Sequence, residues 1–275
     1  AYNGPYGLGA SVIQPARNRH AAYYADKEMR SFPRQAAHPW LLNNRQYIND
    51  IRAMRRYAAE CSGVDDGVGE VMSRLKRLGL DDQTLVVYAA DQGWAGGQHG
   101  IWGMGDHTRP LNAFDDTIHV PLIFRHPGAI PAGRTSDAMV CTYDWMRTLL
   151  SRMGFGDKMP AKPPSPGRDF DAILRGRSIE WDQVIYYEFE NTRAIRTADW
   201  KHVHRHPDGP HELYDLKHDP GELKNLADDD AQSQLRRDLK ARLDAFFARY
   251  ADPQYDLWRG GRSKASRIVK EKRGA

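Results

Sequence analysis

Cysteine is scarce in this sequence of 275 residues, which contains only Cys61 and Cys141. Two cysteines outside any CxxC pair exclude a disulfide framework, and we interpret both as ordinary small residues. Long apolar runs are lacking too, because a run such as residues 85–90 is far shorter than the roughly 20 residues that span a bilayer. We therefore expect no membrane-spanning helix.

Strong charge of one sign is also absent, since 40 basic residues face 36 acidic ones and the net charge is +4. Much of the basic excess lies between residues 259 and 273, where no aromatic interleaving or recognisable nucleic-acid module accompanies it. We interpret this run as a solvated tail and expect no nucleic-acid partner. The sequence starts at Ala1 without a basic segment followed by an apolar one, so a signal peptide is not within it.

The first part of the chain has the pattern of an open α/β sheet. Apolar residues recur at steps of three and four over residues 44–80, which predicts a long amphipathic helix. A continuous apolar run over residues 84–90 follows, and such runs are typical of parallel strands that are buried on both faces. A second strand at 120–124 and a helix at 143–153 complete the pattern.

A Pro-rich stretch at 159–168 is the predicted linker between two domains, residues 1–164 and residues 165–275. Beyond it, short alternating segments separated by turn residues predict a small antiparallel sheet, at 184–189, 194–197, 201–206 and 212–215. A final helix repeats apolar residues on one face over residues 235–250. The sequence thus predicts an α/β body with a small α+β subdomain and a basic tail.

Asp91 and Gln92 follow directly on the predicted buried strand. In open α/β sheets, ligands bind beyond the carboxyl ends of the strands. A carboxylate beside a side-chain amide offers two hard oxygen ligands of the kind that Ca²⁺ or Mg²⁺ prefers. From the residues alone, two interpretations stay open: half of a divalent-metal site, or an aspartate that only forms a turn.

The run VVYAADQGWAGGQHGIWGMG (86–105) closely resembles the sulfatase family segment in which a strand ends in Asp plus Asn, His or Gln. HVPLIFRHPG (119–128) is similar to another strand of that family. Further segments match its C-terminal sheet and the helix before the metal strand, namely RAIRTADWK (193–201), ELYDL (212–216), DPGE (219–222) and VDDGVG (64–69). The resemblance covers most of the chain in order, and it favours the metal interpretation of Asp91.

The resemblance implies an alkaline-phosphatase-like, mostly parallel sheet flanked by helices. It implies a sulfuric-ester hydrolase with a formylglycine nucleophile, a Ca²⁺ ion (Mg²⁺ as the alternative) and cationic side chains that hold the sulfate. The expected substrate is a sulfated small molecule or carbohydrate, and an extracytoplasmic location is favoured. The alcohol part of the substrate and the oligomeric state are not indicated.

Several expected elements of the family do not occur. The nucleophile motif Cys/Ser-x-Pro-x-Arg has no match, because in Ser31-Phe-Pro-Arg34 the arginine comes one position early, and we interpret this segment as a loop. The paired aspartates of the family's first strand are absent as well. We therefore expect that the chain corresponds to the family's second half, is truncated upstream of Ala1 and is inactive alone.

Two departures lie inside the matching region. Tyr6 stands where many relatives have a substrate-contacting histidine, and Met104 stands where they have a sulfate-binding lysine. His107 follows Met104 closely and is the candidate to replace that cation, with Arg109 in reserve. His99 is a second catalytic candidate, and the alternative is a loop histidine. His202, His204 and His206 alternate along one predicted strand, and an exposed edge strand is a better interpretation than a zinc site.

Two other functions stay open. A phosphoesterase or phosphonate hydrolase would share the scaffold and the metal, and an upstream Ser or Thr without the nucleophile motif would favour it. A non-catalytic sulfatase-like binding protein would fit the changes at Tyr6 and Met104.

Overall fold

A computed structural model describes residues 19–262, so Tyr6 and the basic residues beyond 262 lie outside the described range. The chain divides into two compact units, Ala1–Ile130 and Pro131–Ala275. The Pro-rich stretch 159–168 falls inside the second unit, and the domain boundary after residue 164 stays a prediction. No helix among residues 19–262 is long and apolar enough to cross a bilayer.

The first unit combines helices with two small strand pairs. Its elements are α1 (Ala21–Tyr24), α2 (Ile51–Arg77), β1 (Val86–Ala89), β2 (Ala95–Gly96), β3 (Trp102–Gly103), α3 (Asp115–Ile118) and β4 (Leu122–Arg125). Helix α2 starts seven residues later than the sequence pattern suggested. Asn44 has a left-handed backbone (φ 69°), and the Asp50 carboxylate caps the helix by accepting the Arg52 N–H at 2.8 Å.

Strands β1 and β4 pair antiparallel, with Val86 opposite Arg125 and Ala89 opposite Leu122. Tyr88 and Ile123 are 37% and 58% exposed. The strand positions agree with the prediction, but this pair is neither parallel nor buried on both faces. A continuous apolar run indicates a strand, whereas the direction of its partner depends on contacts that lie far away in sequence.

The second unit contains a four-stranded antiparallel sheet under a long helix. Its elements are α4 (Trp145–Arg152), α5 (Asp171–Leu174), β5 (Val184–Phe189), β6 (Thr192–Thr197), β7 (Trp200–Arg205), β8 (Glu212–Asp215) and α6 (Ser233–Tyr250). The strand order is β5-β6-β7-β8. A hydrophobic core joins α6 to the sheet through Val184, Ile195, Leu213, Ala227, Leu239, Leu243 and Phe247. This antiparallel subdomain confirms the predicted α+β pattern.

The interpretation of His202, His204 and His206 as an exposed edge strand is wrong. Strand β7 has neighbours on both sides, and His202 is 1% exposed. In the described part of the chain, no group of three or more His, Cys, Asp and Glu residues is arranged to hold a metal ion.

Candidate metal and anion site

Asp91 and Gln92 lie just beyond the end of β1, and both are exposed. The chain then turns sharply at Gly93, whose N–H donates to Thr117 O at 3.1 Å. A Cβ at position 93 would lie 2.4 Å from Asp116 O, so only glycine allows this approach. The sequence places the two side chains correctly at a strand end, where a carboxylate and an amide oxygen can face a cation.

Met104 links Gln92 to the next part of the site. The Gln92 Nε2 contacts the Met104 Sδ. The Met104 N–H donates to His107 Nδ1 at 3.2 Å, and the side-chain amide of Asn112 donates to Met104 O at 3.4 Å. The loop that carries Met104 therefore folds back onto the candidate metal ligand Gln92.

His107 is 7% exposed and packs beside Trp94, with 5.9 Å between the ring centroids. Gly103 makes room for its ring, because a Cβ there would lie 2.5 Å from His107 Cγ. The Nδ1 atom also lies 3.0 Å from Asp106 Oδ1. That hydrogen bond lowers the pKa of the Asp106 carboxyl below its usual range, against the opposing effect of its partial burial.

The two neighbours of His107 Nδ1 compete for it. A neutral ring protonated at Nε2 can accept the Met104 N–H, whereas a ring protonated at Nδ1 donates to Asp106.

The Arg109 side chain remains close to this loop although Pro110 follows it. Its Nη1 donates to Asp106 O and to Thr108 O, both at 2.8 Å. The guanidinium thus stays beside the Asp106–His107 pair, and its positive charge also contributes to the lowered pKa of Asp106.

His99 belongs to a different set of contacts. Its ring stacks on Phe114 with centroids 3.7 Å apart, and its Nε2 lies 3.7 Å from Asp116 Oδ2. Its backbone is left-handed, with φ 54°. These contacts describe a well-packed loop histidine, and a catalytic role for His99 stays a prediction.

Residues 38–42 form a segment that covers the loop behind His107, and the sequence pattern did not predict it. Leu41 and Thr108 form an antiparallel bridge, Leu42 N–H donates to His107 O at 3.0 Å, and Arg109 N–H donates to Trp40 O at 2.9 Å. Leu41 and Thr108 are 2% and 0% exposed, whereas Leu42 is 52% exposed. Because side chains alternate along such a pairing, Trp40 and Leu42 lie on the side opposite to Leu41.

Arg45 holds this segment in place. Its Nε donates to Leu41 O at 3.0 Å, and its Nη2 donates to His38 O and Pro39 O, both at 3.1 Å. An arginine that follows a left-handed residue is too common a pattern to reveal such a role from sequence alone.

Two family models match the chain over more than half its length each. One is described as sulfatase and covers residues 12–155; the other is described as N-sulphoglucosamine sulphohydrolase, C-terminal, and covers residues 102–249. A curated N-acetylglucosamine-6-O-sulfatase of Bacteroides thetaiotaomicron is 29% identical over 74% of this chain and 37% of its own length. The chain spans less than half the length of the first three curated relatives that it matches, between 37% and 46%.

Solved structures agree with these matches. A protein in complex with its substrate, D-glucosamine-2-N,6-O-disulfate, has a TM-score of 0.63 and 28% identity, over 74% of this chain and 42% of that one. A phosphonate monoester hydrolase of Agrobacterium radiobacter has a TM-score of 0.64 and 26% identity over the same shares. The fold, the motif order and the two family models lead to one conclusion: this chain belongs to the sulfatase family.

Proposed function

We propose that this chain supplies part of the active site of a sulfuric-ester hydrolase. The observation that carries the proposal is the contact of Gln92, which follows Asp91 at the end of β1, with Met104 on the loop of His107. All four residues lie within the range that the sulfatase model matches. A metal-binding edge and an anion-binding loop in one place are what sulfate-ester hydrolysis requires.

Asp91 and Gln92 are the proposed metal ligands. Sulfatases are generally metal-dependent, and a carboxylate with an amide oxygen matches the preference of Ca²⁺, with Mg²⁺ as the alternative. Both side chains are exposed, so a hydrated cation can reach them. When bound, such a cation draws negative charge off the sulfate oxygens. Two donors hold a hard cation weakly, so we expect further ligands from the complete protein.

His107 is the proposed anion clamp in place of the lysine that Met104 replaces. Its Nδ1 lies 3.0 Å from Asp106 Oδ1, and the Nε2 N–H is the proposed donor to the anion. Arg109 lies beside the same carboxylate and is the reserve cation. His99 is a weaker catalytic candidate, because its ring is already stacked on Phe114.

A sulfated carbohydrate is the proposed substrate class. The supporting observations are the similarity to the protein bound to D-glucosamine-2-N,6-O-disulfate and to a curated N-acetylglucosamine-6-O-sulfatase. An extracytoplasmic location fits this substrate class and is part of the same proposal.

Phosphonate hydrolysis is the second candidate, because a phosphonate monoester hydrolase has a similar fold and similar identity. The two reactions share metal and anion chemistry, and they differ in the preferred ester. Comparing aryl sulfate with phenyl phosphonate as substrates of the complete protein separates them. A binding protein without catalysis would turn over neither.

The metal assignment is tested by Asp91→Ala in the complete protein. Elemental analysis should show loss of most of the bound divalent metal, because the remaining amide carries no charge. Asp82→Ala is the matched control, since Asp82 is an exposed aspartate that precedes the same strand. Unchanged metal content in Asp91→Ala would show that the assignment is wrong.

A further inference from the structure

The contact between Gln92 and Met104 constrains how the Gln92 amide is oriented. A thioether sulfur can accept a hydrogen bond and has no hydrogen to donate. The Gln92 Nε2 faces the Met104 Sδ, and the Oε1, which lies in the same plane on the other side of Cδ, points away from the sulfur.

This orientation matters for a cation, because only the oxygen of an amide is a metal ligand. A glutamine side chain can turn its amide over with little change in shape, which presents the NH₂ group instead. We propose that Met104 is a positioning residue for the metal site, which takes the amide N–H and so keeps Gln92 Oε1 turned toward the cation beside Asp91. This inference rests on the proposed role of Asp91 and Gln92 as ligands.

Met104 is itself well held for this role. Its backbone is extended, its N–H donates to His107 Nδ1 at 3.2 Å, and its carbonyl accepts from Asn112 at 3.4 Å. The flexible thioether can adjust to the amide while the main chain stays fixed. One residue thus joins the proposed metal ligand to the proposed anion clamp.

Met104 differs from a lysine at this position in the hydrogen bond that it can form with Gln92. A lysine ammonium group is a donor without any acceptor. Next to Gln92, it cannot accept the amide N–H as the Met104 sulfur does. Methionine in place of lysine removes a charge that binds sulfate and provides an acceptor for the amide N–H of Gln92.

A double-mutant cycle on Ca²⁺ affinity tests the proposal in the complete protein, with isothermal titration calorimetry as the readout. Met104→Leu keeps the volume but removes the acceptor, and it should weaken Ca²⁺ binding by about fivefold, the effect of one modest hydrogen bond. In a Gln92→Glu background the same change should alter affinity by less than about 1.5-fold. The two carboxylate oxygens are equivalent, so no orienting partner is needed there.

Met104→Gln restores an acceptor of similar length and should recover most of the lost affinity. Met146→Leu, at a 56% exposed methionine of the second unit, is the control and should have no effect. If Met104→Leu does not fold, Met104→Ala takes its place in the cycle. Equal losses in both backgrounds, or no loss in either, would overturn the role of Met104 while leaving Asp91 and Gln92 as ligands. Metal binding that is independent of Asp91 would overturn both proposals.

Discussion

Charged side chains are used in opposite ways in the two units of this protein. Around the candidate site, Asp91 is exposed and the Asp106 side chain is 47% exposed, so both carboxylates can meet a ligand. In the C-terminal sheet, Lys201 and Arg205 are 0% exposed and Glu212 is 3% exposed. Burying a charge requires a partner for it, and the sheet supplies one in each case.

The partners lie on β7, on β8 and in the loop that follows β8. Arg205 Nη2 donates to Glu212 Oε2 at 2.9 Å, and Tyr214 OH donates to Glu212 Oε1 at 3.1 Å. Lys201 forms a buried ion pair with Glu222. These groups form hydrogen bonds and ion pairs with one another, so we assign them a structural role.

Histidines show the same contrast. His107 Nδ1 lies 3.0 Å from the half-exposed carboxylate of Asp106. His204 stacks on His211 with centroids 4.2 Å apart, and His202 Nδ1 lies 3.0 Å from Glu212 O. Burial, first of all, lowers the pKa of His202 to about 4 and that of His204 to about 3. The contacts of a histidine side chain, rather than its place in a motif, therefore distinguish a candidate clamp from a core residue.

The largest effect should come from breaking the buried network. Glu212→Ala leaves the Arg205 charge buried without its carboxylate and should lower the free energy of unfolding by about 3–5 kcal/mol. Urea denaturation measures this loss. Replacing both partners, as in Arg205→Met with Glu212→Leu, should cost much less, and Asp244→Ala on the exposed side of α6 should change stability by less than about 0.5 kcal/mol. A small effect of Glu212→Ala alone would contradict the structural role.

A change in the candidate site of the first unit should lower the catalytic rate. His107→Ala in the complete protein should lower kcat/KM about 100-fold, which corresponds to about 2.7 kcal/mol of transition-state stabilisation. Because the ring is packed, His107→Gln is the better-matched variant: it keeps an acceptor for the Met104 N–H but has no charge. Both variants should retain their metal. A loss below about threefold in both would exclude His107 as the clamp and make Arg109→Ala the next test.

The third effect concerns acid stability. The ordinary pKa of 6.5 applies to His204 in the unfolded chain, and the folded value is about 3, so only the unfolded chain binds the proton between these values. Stability should therefore fall as the pH drops below about 6.5, by at most about 1.4 kcal/mol per pH unit for one histidine. His204→Phe keeps the stacking on His211 and should flatten this slope.

Charged groups near His204 also shift its pKa, so they must be the same in the two proteins that are compared. The groups that add positive charge around these histidines are His202, His211, Arg236 and Lys240, together with Arg205 next to His211. The carboxylates of Asp208 and Asp244 have the opposite effect on the histidine pKa values. The measurement is urea denaturation of wild type and His204→Phe between pH 4 and pH 7. An equal slope in both proteins would show that His204 does not cause the acid sensitivity.

The sequence was sufficient for local features. Its periodicity located β1, β4, the four strands of the C-terminal sheet and α6 to within a few residues, because side-chain spacing directly reflects the element. It also predicted α2, although seven residues too early at its start. It also placed Asp91 and Gln92 at a strand end, since strand ends are visible as the end of an apolar run.

Features that depend on distant contacts could not be predicted. The antiparallel pairing of β1 with β4 and the interior position of β7 are set by strand order, which periodicity does not contain. The approach of Met104 to Gln92 depends on the path of an irregular loop. The covering segment at Trp40 has no repeating pattern, and its position becomes clear only from hydrogen bonds to residues more than 60 positions away.

That covering segment has a mechanical consequence for the loop of His107. Arg45 ties the carbonyls of His38, Pro39 and Leu41 together, and Leu42 N–H donates to the backbone of His107 itself. One arginine side chain therefore braces residues 38–42 and, through them, the main chain behind the proposed sulfate clamp. A change at Arg45 should loosen both segments together rather than one alone.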